Sequence, residues 1–420
     1  MDDTSIQVQR FVEKSEEGLY LTVPFEVPED TESFHISYEY DRKKAIIDIG
    51  LNDSSGSFVG WAGSDRDVLQ ISEINSSPGF ETCKIKTGTW QILLGAYHVP
   101  DAGLMVTYTV NFTAKKMRLL RGDIHMHSVA SDGVLTCGQL KEVARSQKLD
   151  FIAITDHNNF AYLRRNFSDD DLTVIPGVEW THYKGHINLL GSMHPFTSFV
   201  ANSKEEMLAV LQEAKKNGAV LSLNHPFCPN CGWKFGFDIP FDMVEVWNGG
   251  LSPKANLACL EWWDLLLQAG RKVPIVGGSD FHRLEFGHTP AFPCTFTYSA
   301  FRSPQGVLDA LKAGRGFVAI SPKGPTIALR ASGRPVYPGE SLPSDTEVTV
   351  TITGTRKSDV IRLVANGGEN RQTASENVTE ISCQMPEKGY LRFEVIRRIE
   401  ALGLEIPVMI SNPLYVGGGL

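Results

Sequence analysis

Long hydrophobic runs are missing from the 420 residues, and none approaches the roughly 18–20 apolar residues of a membrane helix. A helical membrane protein is therefore excluded. Positive charge is in deficit, with 40 Lys and Arg against 49 Asp and Glu and a net charge of −9. That balance argues against a general nucleic-acid footprint and leaves at most a short oligonucleotide or a nucleotide as such a ligand. Cysteine is sparse: the seven are odd in number and scattered, which suits a reducing compartment better than a disulfide framework. The N-terminal stretch MDDTSIQVQRFVEKSEEG is acidic and polar, without the basic and apolar regions of a signal peptide. A cytoplasmic location is the expectation. Internal repeats and low-complexity segments are also missing.

What is present changes texture twice. Residues 1–118 carry short β-like runs, Tyr20–Phe25, His35–Tyr40, Ala45–Leu51, Trp90–Leu94 and Met105–Phe112, separated by turn clusters. They read as an antiparallel β-domain. Residues 119–322 alternate apolar runs with helical segments. The runs are Leu119–His125, Phe151–Thr155, Thr173–Val178, Ile187–Leu190, Val220–Leu223, Met243–Val246 and Val273–Val276. Helices are expected near 138–148, 204–217, 253–269 and 304–313. Ser203 is the expected N-cap of the second, with Glu206 completing a capping box. Seven strands of parallel type with intervening helices point to an α/β barrel close to the (β/α)₈ plan. Residues 323–420 return to β texture and read as a smaller β-sandwich.

The middle region gathers metal-ligand residue types at strand ends. The first run closes on His125-Met126-His127, where i and i+2 face the same way in an extended chain. Asp132 follows on a turn. The next ends supply Asp156-His157, then Glu179, then His186 at the start of the fourth run. His225 follows the fifth, and Asp280-Phe281-His282 follows the seventh with the same i, i+2 spacing. A lone histidine is most often a hydrogen-bonded core residue, but that reading does not account for so many at the ends of barrel strands. Imidazole with carboxylate suits Zn, Mn or Fe better than Ca or Mg. Leaving Asp156 aside, nine donors exceed the needs of one tetrahedral ion and suit two or three, with Glu179 the natural bridge.

Other signals are weaker. Cys228-Pro229-Asn230-Cys231 has metal or redox spacing, but a lone CxxC is weak for structural zinc and reads as a loop roofing the site. His182 stands close enough in sequence to Glu179 to reach the same pocket. Trp262-Trp263 inside a helix reads as packing.

The motifs carry a resemblance. Gly122-Asp123-Ile124-His125-Met126-His127-Ser128, Ser131-Asp132-Gly133 and Ala153-Ile154-Thr155-Asp156-His157-Asn158 resemble the opening motifs of the PHP (polymerase and histidinol phosphatase) superfamily. Pro176-Gly177-Val178-Glu179, Gly185-His186, Asn224-His225-Pro226 and Gly278-Ser279-Asp280-Phe281-His282 continue the match in order. Val244-Glu245-Val246-Trp247-Asn248-Gly249 and Ala313-Gly314-Arg315 resemble the CehA/McbA branch. Val23-Pro24-Phe25-Glu26-Val27-Pro28 with Gly60-Trp61 is similar to a β-domain that precedes PHP domains. The resemblance implies a distorted (β/α)₇ barrel between two β-domains and up to three divalent ions. It implies His125, His127, Glu179 and Asp280 on the first ion, Asp132, His157 and His282 on the second, and Glu179, His186 and His225 on the third. Asp156 is expected to orient His157 or a water.

The activity implied is phosphoester hydrolysis of a small phosphomonoester or phosphodiester, with a metal-bridging hydroxide as nucleophile. Arg283, His288 and Lys184 are positional candidates for contacting the phosphoryl group. The branch resemblance implies an alternative, hydrolysis of a carboxyl ester, carbamate or amide. A non-catalytic adapter stabilised by metal is the third reading, and an intact ligand set argues against it. Oligomeric state is left open.

Overall fold

A computed structural model supplies the fold and describes residues 4–161, 171–249, 253–284, 288–366, 368–400 and 403–417. Two compact units divide the chain. The first takes the residues up to Met117 together with Ala300–Ser303. Its strands are β1 (Thr4–Val12), β2 (Tyr20–Val27), β3 (Thr31–Glu39), β4 (Ile46–Asn52), β5 (Phe58–Ala62), β6 (Val68–Ser72), β7 (Gly88–His98) and β8 (Leu104–Ala114). They form two antiparallel sheets, ordered β1-β8-β3-β6 and β2-β7-β4-β5. Alternate residues turn inward, as the period of two requires, and both sheets feed one core. Phe34 of one sheet meets Trp90 of the other edge-on, with centroids 5.1 Å apart. Pro24 is tolerated because β2 is an edge strand. The short return of the chain at 300–303 is held by Lys115 over the Phe301 face and by the Ser303 hydroxyl donating to Glu73 at 2.8 Å.

The second unit is mixed α/β and strand-rich, with four α-helices among the described residues. The seven apolar runs become β9 (Arg118–Asp123), β10 (Phe151–Ile154), β11 (Thr173–His182), β12 (Gly185–Leu190), β13 (Val220–Leu223), β14 (Met243–Asn248) and β15 (Ile275–Gly278). They pair in sequence order. A parallel bridge between Met126 and Phe281, just beyond β9 and β15, joins the last strand to the first. One small core shows the consequence of that closure. Leu120, Phe151, Ile175, Leu190, Val220, Met243 and Val276, one from each strand in turn, converge on Val307, Leu308 and Leu311. These last three lie on helix α4 (Pro304–Lys312). Side chains from every strand reach one cluster only if all face a shared interior, and α4 plugs one end of it.

Regular strand–helix alternation is not what the ring shows. Helix α1 (Cys137–Ser146) follows β9, α2 (Lys204–Lys216) follows β12 and α3 (Pro253–Gln268) follows β14. Strand β12 runs antiparallel to both neighbours, so the expectation of seven parallel strands with helices between is corrected. The reason is local. Tyr183 and Lys184 are too few for a crossover helix, so β11 turns straight back into β12 as a hairpin. The expected capping box on α2 is also corrected. Ser203 accepts from the Glu206 N–H at 3.1 Å, but the Glu206 carboxylate takes the Asn202 N–H instead. Trp263 is buried and Trp262 packs on Phe237, as packing residues do.

The C-terminal stretch is β throughout, but it does not stand apart as a sandwich. Strands Arg334–Val336, Thr326–Ala331, Glu347–Thr355 and Asn377–Gln384 form one sheet in that order. The others continue the ring's own sheet. β16 (Cys294–Ser299) pairs with β9, β17 (Gly316–Ala319) pairs with β16, and Leu404–Ser411 pairs with β17. The expected boundary at 322 therefore falls inside one hydrogen-bonded sheet. No helix among the described residues is long and apolar enough to cross a membrane.

The packing of α4 yields a prediction. Leu308→Ala removes a side chain from the one cluster that all seven strands share, and is expected to cost about 2–5 kcal/mol. Chemical denaturation measures it; a loss below about 1 kcal/mol contradicts the plug.

Candidate metal centre

The bridge that joins the last strand to the first also builds the site. Asp280 N–H donates to His125 O at 2.9 Å, and His127 N–H donates to Phe281 O at 2.9 Å. In this extended pairing Met126 and Phe281 turn into the core, both fully buried. His125, His127, Asp280 and His282 turn the other way and share the ring's open end. The backbone is strained at two of the donors, with φ of 53° at Asp280 and 26° at His225. Such conformations persist where surrounding bonds over-determine them, commonly at functional sites.

Glu179 is the hub. Its side chain has no exposed surface. Oε1 lies 3.2 Å from His125 Nε2, 3.2 Å from His186 Nδ1 and 3.4 Å from His225 Nε2. Oε2 lies 2.8 Å from His157 Nδ1 and 3.6 Å from His127 Nε2. Asp280 Oδ1 sits 3.1 Å from His127 Nε2 and 3.3 Å from His125 Nε2. Asp132 Oδ1 stands 3.2 Å from His282 Nε2 and 3.5 Å from His157 Nε2. All nine sequence candidates thus meet in one place. Among the described residues, ligand atoms within 4.8 Å of one another form four groups: His127, Asp132, His157 and His282; His125, His127 and Asp280; His125, His225 and Glu245; and His186, His225 and Cys231.

The donor set fits divalent metal. Buried imidazole nitrogens ordinarily find hydrogen-bond partners. Here His125 Nε2, His127 Nδ1 and His225 Nε2 are buried and have none. His125 Nε2 is close to two carboxylates yet aligned with neither. The lone pairs of His125 Nε2 and His225 Nε2 converge on Glu179 Oε1 without bonding it, and a cation satisfies them.

The electrostatics agree. Burial works against the charge on Glu179, but His125 and His186 hold its carboxyl well below the usual range. Burial likewise opposes the charge on Asp280, and His125, His127 and His225 outweigh it. Burial also disfavours charged His225, yet Glu179 and Asp280 raise it to about 9. Burial lowers His127.

Several positioning residues carry no signature in the motif spacing. Glu245 is buried, and its Oε1 accepts from His125 Nδ1 at 3.0 Å, turning Nε2 toward the centre. Its Oε2 accepts from the His225 N–H at 3.0 Å and from Asn248 Nδ2. The pair fits only because residue 278 is glycine: a Cβ there would lie 2.2 Å from Glu245 Oε1 and 2.4 Å from His125 Cβ. Asp123 accepts from the N–H groups of His125, Ser279 and Ala291. Thr181 Oγ1 is 2.6 Å from His157 Nδ1, and Asn224 Nδ2 donates to Glu179 Oε1 at 2.8 Å. A carboxylate at 245, inside an otherwise buried strand, is the one sequence signal that marks such a role.

The non-metal candidates fare differently. Asp156 does not turn to His157. Its oxygens accept from Ser128 N–H at 2.8 Å, Ser128 Oγ at 2.7 Å and Ser131 Oγ at 2.7 Å, so it shapes the turn that carries Asp132. Arg283 is exposed beyond His282. His288 is partly exposed near Gly249 and joins none of the ligand groups. Lys184 stands over the Phe235 face, 5.4 Å from its centroid. His182 does reach the neighbouring cavity of about 460 Å³, stacked on Trp180, and His186 and Cys231 line the same cavity.

No family model matches the chain, and no curated protein matches it. Among solved structures it is similar to a two-domain protein from Bacteroides vulgatus containing a predicted PHP-like metal-dependent phosphoesterase. The identity is 21%, over 71% of this chain and 96% of that one, with a TM-score of 0.40. It is also similar to an amidohydrolase from Chromobacterium violaceum with bound sulfate and no metal. There the identity is 16%, over 40% of this chain and 89% of that one, with a TM-score of 0.26. Neither likeness assigns a chemistry; the side chains of the site must do so.

Two predictions come from this geometry. Glu245→Gln keeps the shape but removes the charge that steadies His125, and metal affinity is expected to fall about 10–100-fold. Metal competition with a chromophoric chelator reads the change, and unchanged affinity contradicts the role. Metal must also displace protons from histidines whose pKa is raised, so affinity should climb from mildly acidic pH toward about 9, with protons released. Without metal the sign reverses. A histidine pKa raised by folding contributes stability that is complete below the ordinary imidazole range and lost as pH rises through about 9. Calorimetry in two buffers of different ionisation heat measures the release; none, with affinity flat in pH, refutes it.

Proposed function

We propose that the chain is a metal-dependent hydrolase of the PHP type, and that its seven-strand ring is a distorted form of the PHP barrel. The observation that carries this is the buried Glu179 with five histidine nitrogens within 3.6 Å, two of them, His125 Nε2 and His225 Nε2, lacking any hydrogen-bond partner. His125, His127, Glu179 and Asp280 hold one ion in this reading. Asp132, His157 and His282 hold a second, and Glu179, His186 and His225 a third. Zn, Mn and Fe suit the donors. Divalent ions in such a site generate a nucleophile from water at neutral pH and neutralise charge on the bond under attack.

The chain's own groups then do the positioning. Glu179, fully buried, and Asp280, partly exposed, are held ionised and fix the charge balance of the centre. Glu245 and Thr181 set the imidazole orientations, and Asp156 sets the turn that presents Asp132. Arg283 follows directly on the Asp280–His282 segment and His288 lies six residues past His282; both are proposed to contact the leaving group or a phosphoryl oxygen. The favoured substrate is a small phosphomonoester or phosphodiester. Its anionic oxygens match a multinuclear centre better than a neutral carbonyl does. A second reading, hydrolysis of a carboxyl ester, carbamate or amide, draws support from the cavity beside His186. Its described lining includes Tyr183, Phe199, Val200 and the amides of Asn158, Asn202 and Asn230, with no Lys or Arg. The scattered cysteines support placing the protein in the cytoplasm.

The test is a panel of p-nitrophenyl phosphate, bis(p-nitrophenyl) phosphate and 1-naphthyl methylcarbamate, with Mn or Zn added. Turnover of a phosphate ester is expected, abolished in Glu179→Gln and Asp280→Asn while circular dichroism holds. Turnover of the carbamate alone moves the assignment to the second reading. Full activity in either variant rejects the ligand set.

A further inference from the structure

We propose that Cys228 and Cys231 are a reversible dithiol–disulfide pair, a redox site on the loop that carries His225. The inference goes beyond the metallohydrolase reading and does not depend on it. The loop after β13 begins at His225 and folds back on itself. Cys228 N–H donates to His225 O, Gly232 N–H to Cys228 O and Trp233 N–H to Pro226 O, each at 2.9 Å. A Cβ at residue 232 would lie 2.5 Å from Cys228 O and 2.9 Å from Pro226 O, so the tight turn requires glycine there. Trp233 and Phe235 are buried beyond it and anchor the loop.

The turn brings the two sulfurs together. The Cys231 thiol donates to Cys228 Sγ at 2.7 Å, and the Cys231 N–H donates to the same sulfur at 3.4 Å. Disulfide sulfurs lie about 2.05 Å apart, so closing the bond asks for a shift of only about 0.7 Å. The other use of CxxC spacing is a structural ion, which needs further ligands facing both sulfurs. Among the described residues Cys228 joins none of the groups whose ligand atoms converge. Both thiols are partly exposed, whereas Cys137, Cys259 and Cys294 are buried. Cys231 lines the open cavity beside His186, where a small reagent reaches it. Its sulfur also stands 3.6 Å from His225 Nδ1, which places the pair one contact from the centre.

The oxidant that the exchange needs is a low-molecular-weight disulfide, RSSR. One cysteine gives up its proton, and its thiolate attacks a sulfur of RSSR, breaking that S–S bond and expelling RS⁻. The other cysteine then gives up its proton and displaces the second RS⁻, forming the Cys228–Cys231 bond. The two cysteines are oxidised, RSSR and the two protons become two RSH, and the reverse sequence restores the thiols.

The competing role is a pair of thiols that pack and hydrogen-bond without exchanging. The full chain is equilibrated in glutathione buffers from reducing to oxidising, quenched in acid and alkylated, and the tryptic peptide Asn217–Lys234 is weighed. In oxidising buffer the peptide is expected to lose two hydrogens and both alkylation sites, and to regain them in reduced glutathione. Cys228→Ser and Cys231→Ser should each take up one glutathione and form no internal bond. A peptide alkylated twice in every buffer, or one that carries two glutathiones, overturns the inference. So does a disulfide that reduced glutathione fails to reopen.

Discussion

A carboxylate with no exposed surface must have its charge met inside the protein, and Glu179 meets that constraint with histidines alone. Burying an unpaired ion costs several kcal/mol even after relaxation. The nitrogens of His125, His127, His157, His186 and His225 surround both of its oxygens, and Asn224 adds a neutral donor. Glu245 fixes the far nitrogen of His125, and Thr181 meets the same His157 nitrogen that faces Glu179. The arrangement is therefore layered outward from one oxygen pair.

Such convergence depends on the ring being closed. The Met126–Phe281 bridge sets two i, i+2 pairs of donors side by side, and the backbone bonds from Asp280 and His127 hold their register. A slip of one residue would turn all four donors into the core and expose Met126 and Phe281 in their place. At the opposite end α4 fills the interior. The C-terminal strands extend the same sheet through β17, so they brace the edge of the ring at β16 instead of forming a body of their own.

Much of this is legible in the chain because its signals are local. The seven apolar runs become strands, and the nine donors at their ends meet. What stays hidden is set by pairing partners that local pattern does not name. Strand β12 has the same apolar run whichever way its neighbours point, so its antiparallel direction follows only from the short link at Tyr183–Lys184. The continuity of β17 with Leu404–Ser411 joins residues far apart in sequence, and neither run carries a mark of it. Asp156 reads as a companion of His157 because it is adjacent, but its oxygens turn to Ser128 and Ser131. Glu245 is masked by the buried residues around it. Cys231 reads as part of a loop motif, and only the turn closed at Gly232 shows that it returns to His225.

The central claim is that these donors exist to hold several ions around Glu179. Crystals of the metal-loaded protein, measured at the absorption edge of the bound metal, test it most directly. The account predicts two or three anomalous peaks, each within coordination distance of His125, His157 or His186, with those at His125 and His186 adjoining the Glu179 carboxylate. A single peak, or peaks elsewhere with Glu179 bonded only to imidazole, would contradict it.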